Sequence, residues 1–295
     1  MKIPTVPIIL FDKEYPVYTG SCCSSNSDKR TLYVEVTDQC NACCDFCSAS
    51  SRGHTFLNPK VFEEVLTELV KQGAVDRVSI TGGEPLSVPH FYTFNYLNAL
   101  ESSGVDYYAI TTNGRYLSEN MLYLDNTEKL KYINVSRHHW DDDENRAVFH
   151  DAFIPGIKEV ARLLNMLHNP YRRFRLNCTL GHSVDPEWIH RYIDMASENE
   201  FSSVLFRRNY FDQDNSGFRD IFGTMVAGRK ESTKCRCMHG YVESADLNVE
   251  YREVDAVLEQ KYECEHQYIR NFVLHADGRL TGGWSDKSML IWKPE

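Results

Sequence analysis

The chain of 295 residues is predicted to adopt an α/β fold with six parallel strands. Short β-prone runs recur along its first part, up to about residue 210, and helical patterns lie between them. Strands that alternate with helices imply a parallel sheet with right-handed crossovers. The chain is longer than an average domain, but α/β barrels of this size commonly form one unit with appended segments.

Each strand and helix is predicted from its own local pattern. The first helix has an N-cap at Asn58 and proline at its first helical position, followed by an apolar stripe that begins at Val61. The acidic run 141–144 predicts a solvated helix start. The predicted strands are 32–36, 77–81, 107–111, 132–136, 173–179 and 203–208, and the later helices are 91–100, 118–124, 157–167 and 187–197.

Composition excludes several classes of function. The formal net charge of −10 argues against broad nucleic-acid binding, which needs a basic surface. No apolar stretch approaches the ~20 residues of a membrane span, and the N-terminus lacks the features of a secretory signal. Four of the ten cysteines lie within eight positions, which favours reduced thiols over a disulfide framework. A cytoplasmic protein without a membrane partner is expected.

Three cysteines in one short loop are the most specific feature of the chain. Cys40, Cys44 and Cys47 are spaced C-x3-C-x2-C directly after the first predicted strand. Three thiolates can hold three irons of a [4Fe-4S] cluster and leave the fourth iron open to a ligand. Structural zinc is the alternative, but zinc usually takes two matched pairs of ligands, and this loop has no clear partner pair. Buried or incidental cysteines are the remaining alternative.

A second motif, Thr81-Gly82-Gly83-Glu84-Pro85, follows the second predicted strand. Two glycines allow the backbone to approach a ligand closely, and a carboxylate beside exposed backbone groups suits an ammonium ligand. Gly-Gly alone marks only a turn. The two motifs together are far more specific than either alone.

Both motifs resemble those of the radical S-adenosylmethionine (SAM) superfamily. The loop matches the pattern C-x3-C-x-aromatic-C, with Phe46 as the aromatic residue, and Gly82, Gly83 and Glu84 match the motif that holds the amino group of SAM. The resemblance implies a partial (β/α)6 TIM-type barrel over residues 31–210. It also implies reductive cleavage of SAM at the cluster to a 5′-deoxyadenosyl radical, with flavodoxin or ferredoxin as electron donor.

Other strand ends supply further candidates, because active residues of barrels lie at the carboxyl ends of strands. Thr112 and Asn113 end the third strand and could either form a simple Asn-Gly turn or line the SAM site. By resemblance, Ser136 at the end of the fourth strand and Asn177 near the end of the fifth are expected to contact SAM.

Substrate-binding and catalytic roles are predicted for three more residues. The guanidinium of Arg137 could bind SAM or an anionic substrate. His138 could contact substrate or donate a proton, with a packed or surface histidine as the alternative. Cys178 could donate a hydrogen atom to a substrate radical, as in some radical SAM epimerases, or be a small buried hydrophobic residue. Period-two alternation predicts that Arg207 or Arg208 points inward.

Residues 211–295 are predicted to form an α+β cap, and residues 1–30 an N-terminal extension. The segment 271–284 resembles the β-hairpin of SPASM or twitch extensions, with Asp-Gly as its turn. Trp284 stands where a cysteine normally closes that hairpin, and the usual C-x2-C pairs are missing. A second iron-sulfur cluster on Cys235, Cys237 and Cys264 therefore stays an open alternative, and the pair Cys22-Cys23 is unassigned.

The sequence predicts a radical SAM enzyme that abstracts hydrogen from a small anionic metabolite or nucleotide. Basic residues at strand ends, in an otherwise acidic chain, favour this substrate class. Modification of a ribosomally made peptide, by cross-linking or epimerisation, is the alternative that the twitch-like hairpin suggests. A non-catalytic iron-sulfur redox sensor is the alternative from another class, although a mere sensor has no use for a SAM site.

Overall fold

The computed structural model describes residues 5–18, 30–47, 53–180, 184–209, 227–231, 238–242, 247–253, 268–269, 271–284 and 288–295. The predictions made for Cys22-Cys23, Cys235, Cys237 and Cys264 lie outside the described residues. Within the part of the chain that the structure describes, no helix combines the length and apolar character that a membrane span requires.

Six parallel strands lie side by side in chain order and form the centre of one large sheet. They are β3 (Arg30–Glu35), β4 (Val75–Thr81), β5 (Tyr107–Thr112), β6 (Leu130–Ser136), β7 (Arg173–Leu180) and β8 (Ser203–Arg208). This confirms the predicted α/β fold. Because the strand order never reverses, right-handed crossovers put all the connecting helices on the same face. A sheet covered on one face in this way curls into a partial barrel.

Six α-helices connect or follow these strands in the described chain: α1 (Pro59–Lys71), α2 (His90–Ser102), α3 (Leu117–Asp125), α4 (Asp142–Phe149), α5 (Ile157–Asn165) and α6 (Pro186–Glu198). As predicted, Asn58 caps α1 by accepting a hydrogen bond from the Lys60 N–H at 3.0 Å. Asp141 caps α4 in the same way, by accepting from two backbone N–H groups. Side-chain caps of this kind satisfy N–H groups that have no partner within the helix.

The two faces of the sheet differ in polarity. In β3, Leu32 and Val34 are fully buried in the apolar core shared with the helices, while Tyr33 and Glu35 lie on the opposite face and are partly exposed. The same alternation continues in the neighbouring strands. We call the face opposite the helices the lumen face. It carries polar and aromatic side chains, which are Tyr33, Glu35, Ser79, Thr81, Tyr132, Asn134, Ser136, Arg175 and Asn177.

Later strands extend this sheet at both edges, so the expected cap is part of the central sheet. At one edge, β11 (Asn248–Glu253) pairs in parallel with β8 and is followed outward by β10 (Met238–Val242) and β9 (Ala227–Glu231). At the other edge, β12 (Phe272–Leu274) pairs in parallel with β3 and is followed by β13 (Leu280–Thr281) and β14 (Leu290–Trp292). The predicted hairpin is β12 and β13.

An N-terminal hairpin, which the sequence analysis did not predict, packs against these late strands. It consists of β1 (Thr5–Leu10) and β2 (Lys13–Tyr18), joined by Phe11 and Asp12, both with positive φ. Positive φ at both central residues is typical of the tight turn that matches strand twist. The Tyr15 hydroxyl donates to the Ile291 carbonyl at 2.7 Å.

A contact between a histidine and a carboxylate joins the hairpin of β12 and β13 to β3. His275 directly follows β12, and its Nδ1 lies 2.6 Å from Oε2 of Glu35, the last residue of β3. Its Nε2 lies 2.9 Å from the Thr281 hydroxyl, and that hydroxyl has the Gly283 carbonyl 2.8 Å away as an acceptor. The His275 ring therefore bridges the end of β3 and the strand β13 through both of its nitrogens.

We expect His275→Ala to lower the free energy of unfolding by about 1–3 kcal/mol, because it removes the hydrogen-bond partner of the Glu35 carboxylate and of the Thr281 hydroxyl. Urea unfolding monitored by circular dichroism measures this. Arg279→Ala is the matched control in the same hairpin, since its ion pair with Asp277 is solvent-exposed and should contribute at most ~1 kcal/mol. Equal losses of unfolding free energy in the two variants would show that the His275–Glu35 contact contributes no more to stability than the exposed Arg279–Asp277 pair.

Candidate active site

The cysteine loop and the Gly-Gly-Glu loop are joined backbone to backbone. They follow β3 and β4, which pair in parallel with Glu35 opposite Thr81. Beyond the strands, the Gly83 N–H donates to the Thr37 carbonyl at 2.7 Å and the Glu84 N–H donates to the Gln39 carbonyl at 2.8 Å. The strand pairing therefore continues into the two loops and fixes the position of Cys40.

The two glycines are required by this close approach. Gly82 has a φ of +138°, which side-chain-bearing residues rarely adopt, and an added Cβ would collide with the Thr37 carbonyl oxygen. A Cβ on Gly83 would collide with the Gln39 carbonyl oxygen and would reach to 3.0 Å from the Cys40 nitrogen. Any larger residue at position 83 must push the cysteine loop away.

The cysteine loop packs against the end of α4 and the segment that follows it. Ala42 is buried with Phe149 and Ile154 in a small apolar cluster, against which Cys40 and Cys44 pack. The Cys43 N–H donates to the Phe149 carbonyl at 2.9 Å. Within the loop, the Ala42 N–H points to the Cys40 Sγ at 3.4 Å, so one thiol already accepts a hydrogen bond from the backbone.

Glu84 joins its own loop to the loop after β5 through its buried carboxylate. Its Oε1 accepts hydrogen bonds from the Thr112 hydroxyl at 2.6 Å and the Leu86 N–H at 3.0 Å, and its Oε2 accepts from the Asn113 N–H at 2.7 Å. The residue is only 1% exposed. Burial raises the pKa of Glu84 to about 7, and the hydrogen bonds from Asn113, Thr112 and Leu86 oppose that rise.

Thr112 and Asn113 are both buried and bind other protein groups. Besides Glu84, the Thr112 hydroxyl oxygen accepts from the Gly114 N–H at 3.0 Å. The Asn113 side chain donates to Asn41 Oδ1 at 3.0 Å and accepts from the Arg115 N–H at 2.9 Å. The structure brings these predicted SAM residues next to the cysteine loop, but their polar side-chain atoms, like those of Glu84, are engaged in joining the loops.

Ser136 and Asn177 are brought together on the lumen face. They are opposite each other in the parallel pairing of β6 and β7. Asn177 is 9% exposed, and its Oδ1 is buried without a hydrogen-bond partner among the described residues. A buried amide oxygen without a partner is costly, which makes it a site where a ligand's donor group is expected. Asn134, two residues before Ser136, has an Oδ1 in the same condition.

His138 lies beside the aromatic residue of the cysteine loop. Its ring centroid is 4.6 Å from that of Phe46 and 4.9 Å from that of Phe149. Its Nδ1 accepts a hydrogen bond from the Thr179 N–H at 3.0 Å, which assigns the proton of the neutral ring to Nε2. Burial and the charge of Arg137 lower the pKa of His138 to about 3. His138 is therefore a neutral ring that can donate a hydrogen bond from Nε2.

Arg137 and Cys178 do not lie at this site. Arg137 is 2% exposed, and its Nη2 binds the Asp142 carboxylate at 2.6 Å and the Trp140 carbonyl at 3.0 Å. Cys178 is fully buried on the helix side of β7, and burial raises the pKa of its thiol. Both side chains lie between the sheet and the helices. Cys178 thus has the surroundings of a small buried hydrophobic residue, the alternative given for it, and the role of Arg137 in binding an anion stays a prediction.

Among the described residues, no three His, Cys, Asp or Glu side chains converge as ligands of a single metal ion. The thiolates of an iron-sulfur cluster each bind a different iron, so they need not converge on one point. Cys40, Cys44 and Cys47 are thiols, not disulfides, and Cys47 is exposed. Soft donors at the open end of the sheet, one of them accepting a backbone hydrogen bond, fit an iron-sulfur cluster.

Comparison with known proteins identifies the family. A model of the Radical SAM superfamily matches residues 34–196, which is more than half of the chain. The chain belongs to the radical SAM superfamily. It is therefore an enzyme, and its cofactors are those of the family, a [4Fe-4S] cluster and SAM.

Curated relatives are similar over part of their length. The chain is 32% identical to the GTP 3′,8-cyclase of Aquifex aeolicus over 124 residues, which cover 40% of this chain and 38% of that enzyme. It is 30% identical to GTP 3′,8-cyclase 1 of Mycobacterium tuberculosis over 173 residues, covering 55% of this chain and 47% of that enzyme. The chain thus spans less than half the length of these two relatives.

Solved structures share the fold at low sequence identity. SuiB of Streptococcus suis bound to S-adenosylmethionine superposes with a TM-score of 0.63 and 18% identity, covering 86% of this chain and 60% of that one. The enzyme anSMEcpe with bound AdoMet superposes with a TM-score of 0.54 and 12% identity, covering 86% and 74%. Similarity at this level confirms the α/β fold and the partial barrel.

Sequence analysis missed several side chains that the structure places at the site. Asn134 and Arg175 lie two residues before Ser136 and Asn177, so period-two alternation of the strands could have found them. Asn41 lies inside the cysteine motif, but nothing in its pattern indicates a second role. Asp151, which binds Asn41, belongs to no motif and has no sequence signal.

We expect Gly83→Ala to weaken SAM binding by about tenfold or more, because the added methyl group displaces Gln39 and with it the cysteine loop. Anaerobic calorimetry with SAM measures this. Gly73→Ala is the control: the positive φ of Gly73 strains an alanine, but a Cβ there would meet no atom within 4 Å, so SAM affinity should stay at the wild-type level. Wild-type SAM affinity in Gly83→Ala would show that the two loops need not touch.

We expect the contribution of Glu84 to stability to fall as pH rises from about 4.5 to about 7. The folded protein keeps the Glu84 proton over this range while the unfolded chain releases it, so the folded state binds more protons and loses stability with increasing pH. The difference in unfolding free energy between wild type and Glu84→Gln, measured in urea at several pH values, isolates this group. A difference that is independent of pH would contradict the raised pKa.

Proposed function

We propose that this enzyme abstracts hydrogen from a small anionic metabolite or nucleotide held against the lumen face. Cys40, Cys44 and Cys47 hold the [4Fe-4S] cluster in this proposal, and SAM lies across the carboxyl ends of β4 to β7. Bound there together, cluster and SAM supply a 5′-deoxyadenosyl radical that removes hydrogen from a substrate carbon. The residues of the chain bind, orient and shield the reactants.

The observation that carries this proposal is the Arg175 guanidinium stacked on Tyr132 of the lumen face, with two further cations, Lys131 and Arg77, toward the amino ends of β6 and β4. The Arg175 guanidinium lies 5.6 Å from the ring centroid of Tyr132. The Lys131 ammonium lies 4.9 Å from the ring centroid of Tyr107, and Arg77 Nη1 lies 3.4 Å from the Tyr107 hydroxyl. Cations beside aromatic rings suit flat, negatively charged molecules.

Two of these cations lie near carboxylates and are partly exposed. Arg175 Nη2 lies 3.7 Å from Glu250 Oε1, and Arg77 Nε lies 3.4 Å from Asp76 Oδ1. Arg175 is 21% exposed and Arg77 22% exposed, so water or a ligand can reach both. Arg175, Arg77 and Lys131 place three cations near one another in a chain whose formal net charge is −10. Local positive charge of this kind raises the affinity for anions.

Polar groups nearer the carboxyl ends of the strands orient SAM and the substrate in this proposal. Gly82 and Gly83 offer backbone groups for the amino end of SAM, and Phe46 offers a ring face. Ser136 and Asn177 offer a hydroxyl and an amide that are suited to ribose hydroxyls. Asn134 offers the second buried amide oxygen and is assigned to the substrate. His138, neutral and protonated at Nε2, can donate a hydrogen bond at the cluster side of this space.

Modification of a peptide is the second candidate. The hairpin of β12 and β13 supports it, because Trp284 at its end is 43% exposed and lies 5.3 Å from the ring of Tyr33 on the lumen face. An exposed tryptophan beside a tyrosine is a common anchor for peptide side chains. SuiB has been solved with its precursor peptide SuiA and anSMEcpe with AdoMet. A flavodoxin or ferredoxin is proposed as electron donor for either substrate.

We expect GTP, the substrate named for the curated relatives, to stimulate formation of 5′-deoxyadenosine in the reduced, reconstituted enzyme far more than guanosine does. Arg175→Gln should weaken the response to GTP by about ten- to a hundredfold, because it removes a charged donor. Mass spectrometry of 5′-deoxyadenosine over a range of ligand concentrations measures both effects.

Arg191→Gln is the matched control, since Arg191 is an exposed residue of α6 on the helix side, where it pairs with Glu187 and lies over the Trp140 ring. It should respond to GTP as the wild type does. Equal stimulation by guanosine and GTP, or an Arg175→Gln variant with an unchanged response, would contradict the anionic-substrate proposal. Stimulation by a peptide and not by phosphorylated ligands would favour the second candidate.

A further inference from the structure

Asp151 lies outside every motif of the chain but contacts the cysteine loop directly. It follows α4, and its Oδ2 accepts a hydrogen bond from Asn41 Nδ2 at 2.7 Å. Its Oδ1 accepts from the Phe153 N–H at 2.8 Å, which fixes the carboxylate from the other side. Asn41 stands between Cys40 and Ala42, so the bond reaches the loop next to a predicted cluster ligand.

The Asn41 amide is held at both ends. Opposite Asp151, Asn41 Oδ1 accepts a hydrogen bond from Asn113 Nδ2 at 3.0 Å. Asn113 is itself 6% exposed and is fixed by its backbone bond to Glu84. A continuous chain of hydrogen bonds therefore runs from Asp151 through Asn41 and Asn113 to Glu84. It joins the segment after α4 to the loops that follow β3, β4 and β5.

This chain sets the position of the backbone around Cys40. The Ala42 N–H, one residue after Asn41, points to the Cys40 Sγ at 3.4 Å. Hydrogen bonds to the sulfur atoms of a cluster are among the factors that set its reduction potential, together with net charge and solvent exposure. Such a bond stabilises the more negative, reduced state and therefore raises the potential.

We propose that Asp151 is a positioning residue that acts through Asn41 to hold the Ala42 N–H against the Cys40 sulfur and thereby raises the reduction potential of the cluster. The proposal rests on the assignment of the cluster to Cys40, Cys44 and Cys47. Asp151 has two effects of opposite sign. Its negative charge near the cluster lowers the potential, whereas its bond to Asn41 raises it.

The test compares reduction potentials of the reconstituted full chain in redox titrations monitored by electron paramagnetic resonance. Asp151→Ala and Asn41→Ala should both lower the potential, by up to about the 59 mV that corresponds to a tenfold change in a one-electron equilibrium. The double variant should fall no further than Asn41→Ala alone, because both residues act through one contact. Asp143→Ala, which removes an exposed carboxylate of α4, is the control and should not lower the potential.

Asp151→Asn separates hydrogen bonding from charge, and it also serves if Asp151→Ala loses the cluster. The single acceptor oxygen of asparagine can keep the bond from Asn41 by giving up the one from the Phe153 N–H, while the charge is gone. The potential should therefore rise or stay unchanged, with full iron content. A rise in Asp151→Ala, or additive effects in the double variant, would overturn the proposal. Absence of four irons per chain in the wild type would instead overturn the cluster assignment on which it rests.

Discussion

The backbone contact between the cysteine loop and the Gly-Gly-Glu loop is the constraint on which the rest of this site depends. It exists because β3 and β4 are parallel neighbours whose carboxyl ends meet at one edge of the sheet, so the loops that leave them start side by side. The two glycines then remove the side chains that would separate them. Once Gly83 lies against Gln39, the position of Cys40, the placement of Glu84 and the hydrogen bonds to the third loop all follow.

The buried carboxylate of Glu84 lowers the stability of the folded state at neutral pH but fixes the positions of the loops around it. Because its pKa is raised to about 7, ionising Glu84 at neutral pH costs more free energy in the folded state than in the unfolded chain. Three donors from two chain segments, 112–113 and Leu86, offset part of that cost and fix the two loops to each other. As a result, the side chains of Glu84, Thr112 and Asn113 hold the loops, while glycine backbone groups and the lumen residues Ser136 and Asn177 remain for ligands.

Much of the fold could be predicted from local patterns, whereas the roles of individual side chains depended on tertiary contacts. Apolar alternation and helix caps such as Asn58 act within a few residues, so the strands and helix starts that they specify could be predicted from local sequence. The N-terminal hairpin was not, because Phe11 and Asp12 replace the usual Asn-Gly turn. The type of Arg137 allowed a role in binding an anion, and that of Cys178 allowed either a hydrogen-atom donor or a small buried hydrophobic residue; strand alternation directs both side chains toward the helices. Asp151 contacts Asn41 across 110 positions of sequence, a distance at which no local pattern carries a signal.

The central claim is that Cys40, Cys44 and Cys47 hold a catalytic cluster at the open end of a sheet whose lumen face binds the substrate. The most direct measurement is the iron content and the yield of 5′-deoxyadenosine of wild type and Cys40→Ala after anaerobic reconstitution and reduction with SAM present. The account predicts about four irons per chain and 5′-deoxyadenosine for the wild type, with loss of both in the variant. A Cys40→Ala variant that kept its iron and still cleaved SAM would contradict it.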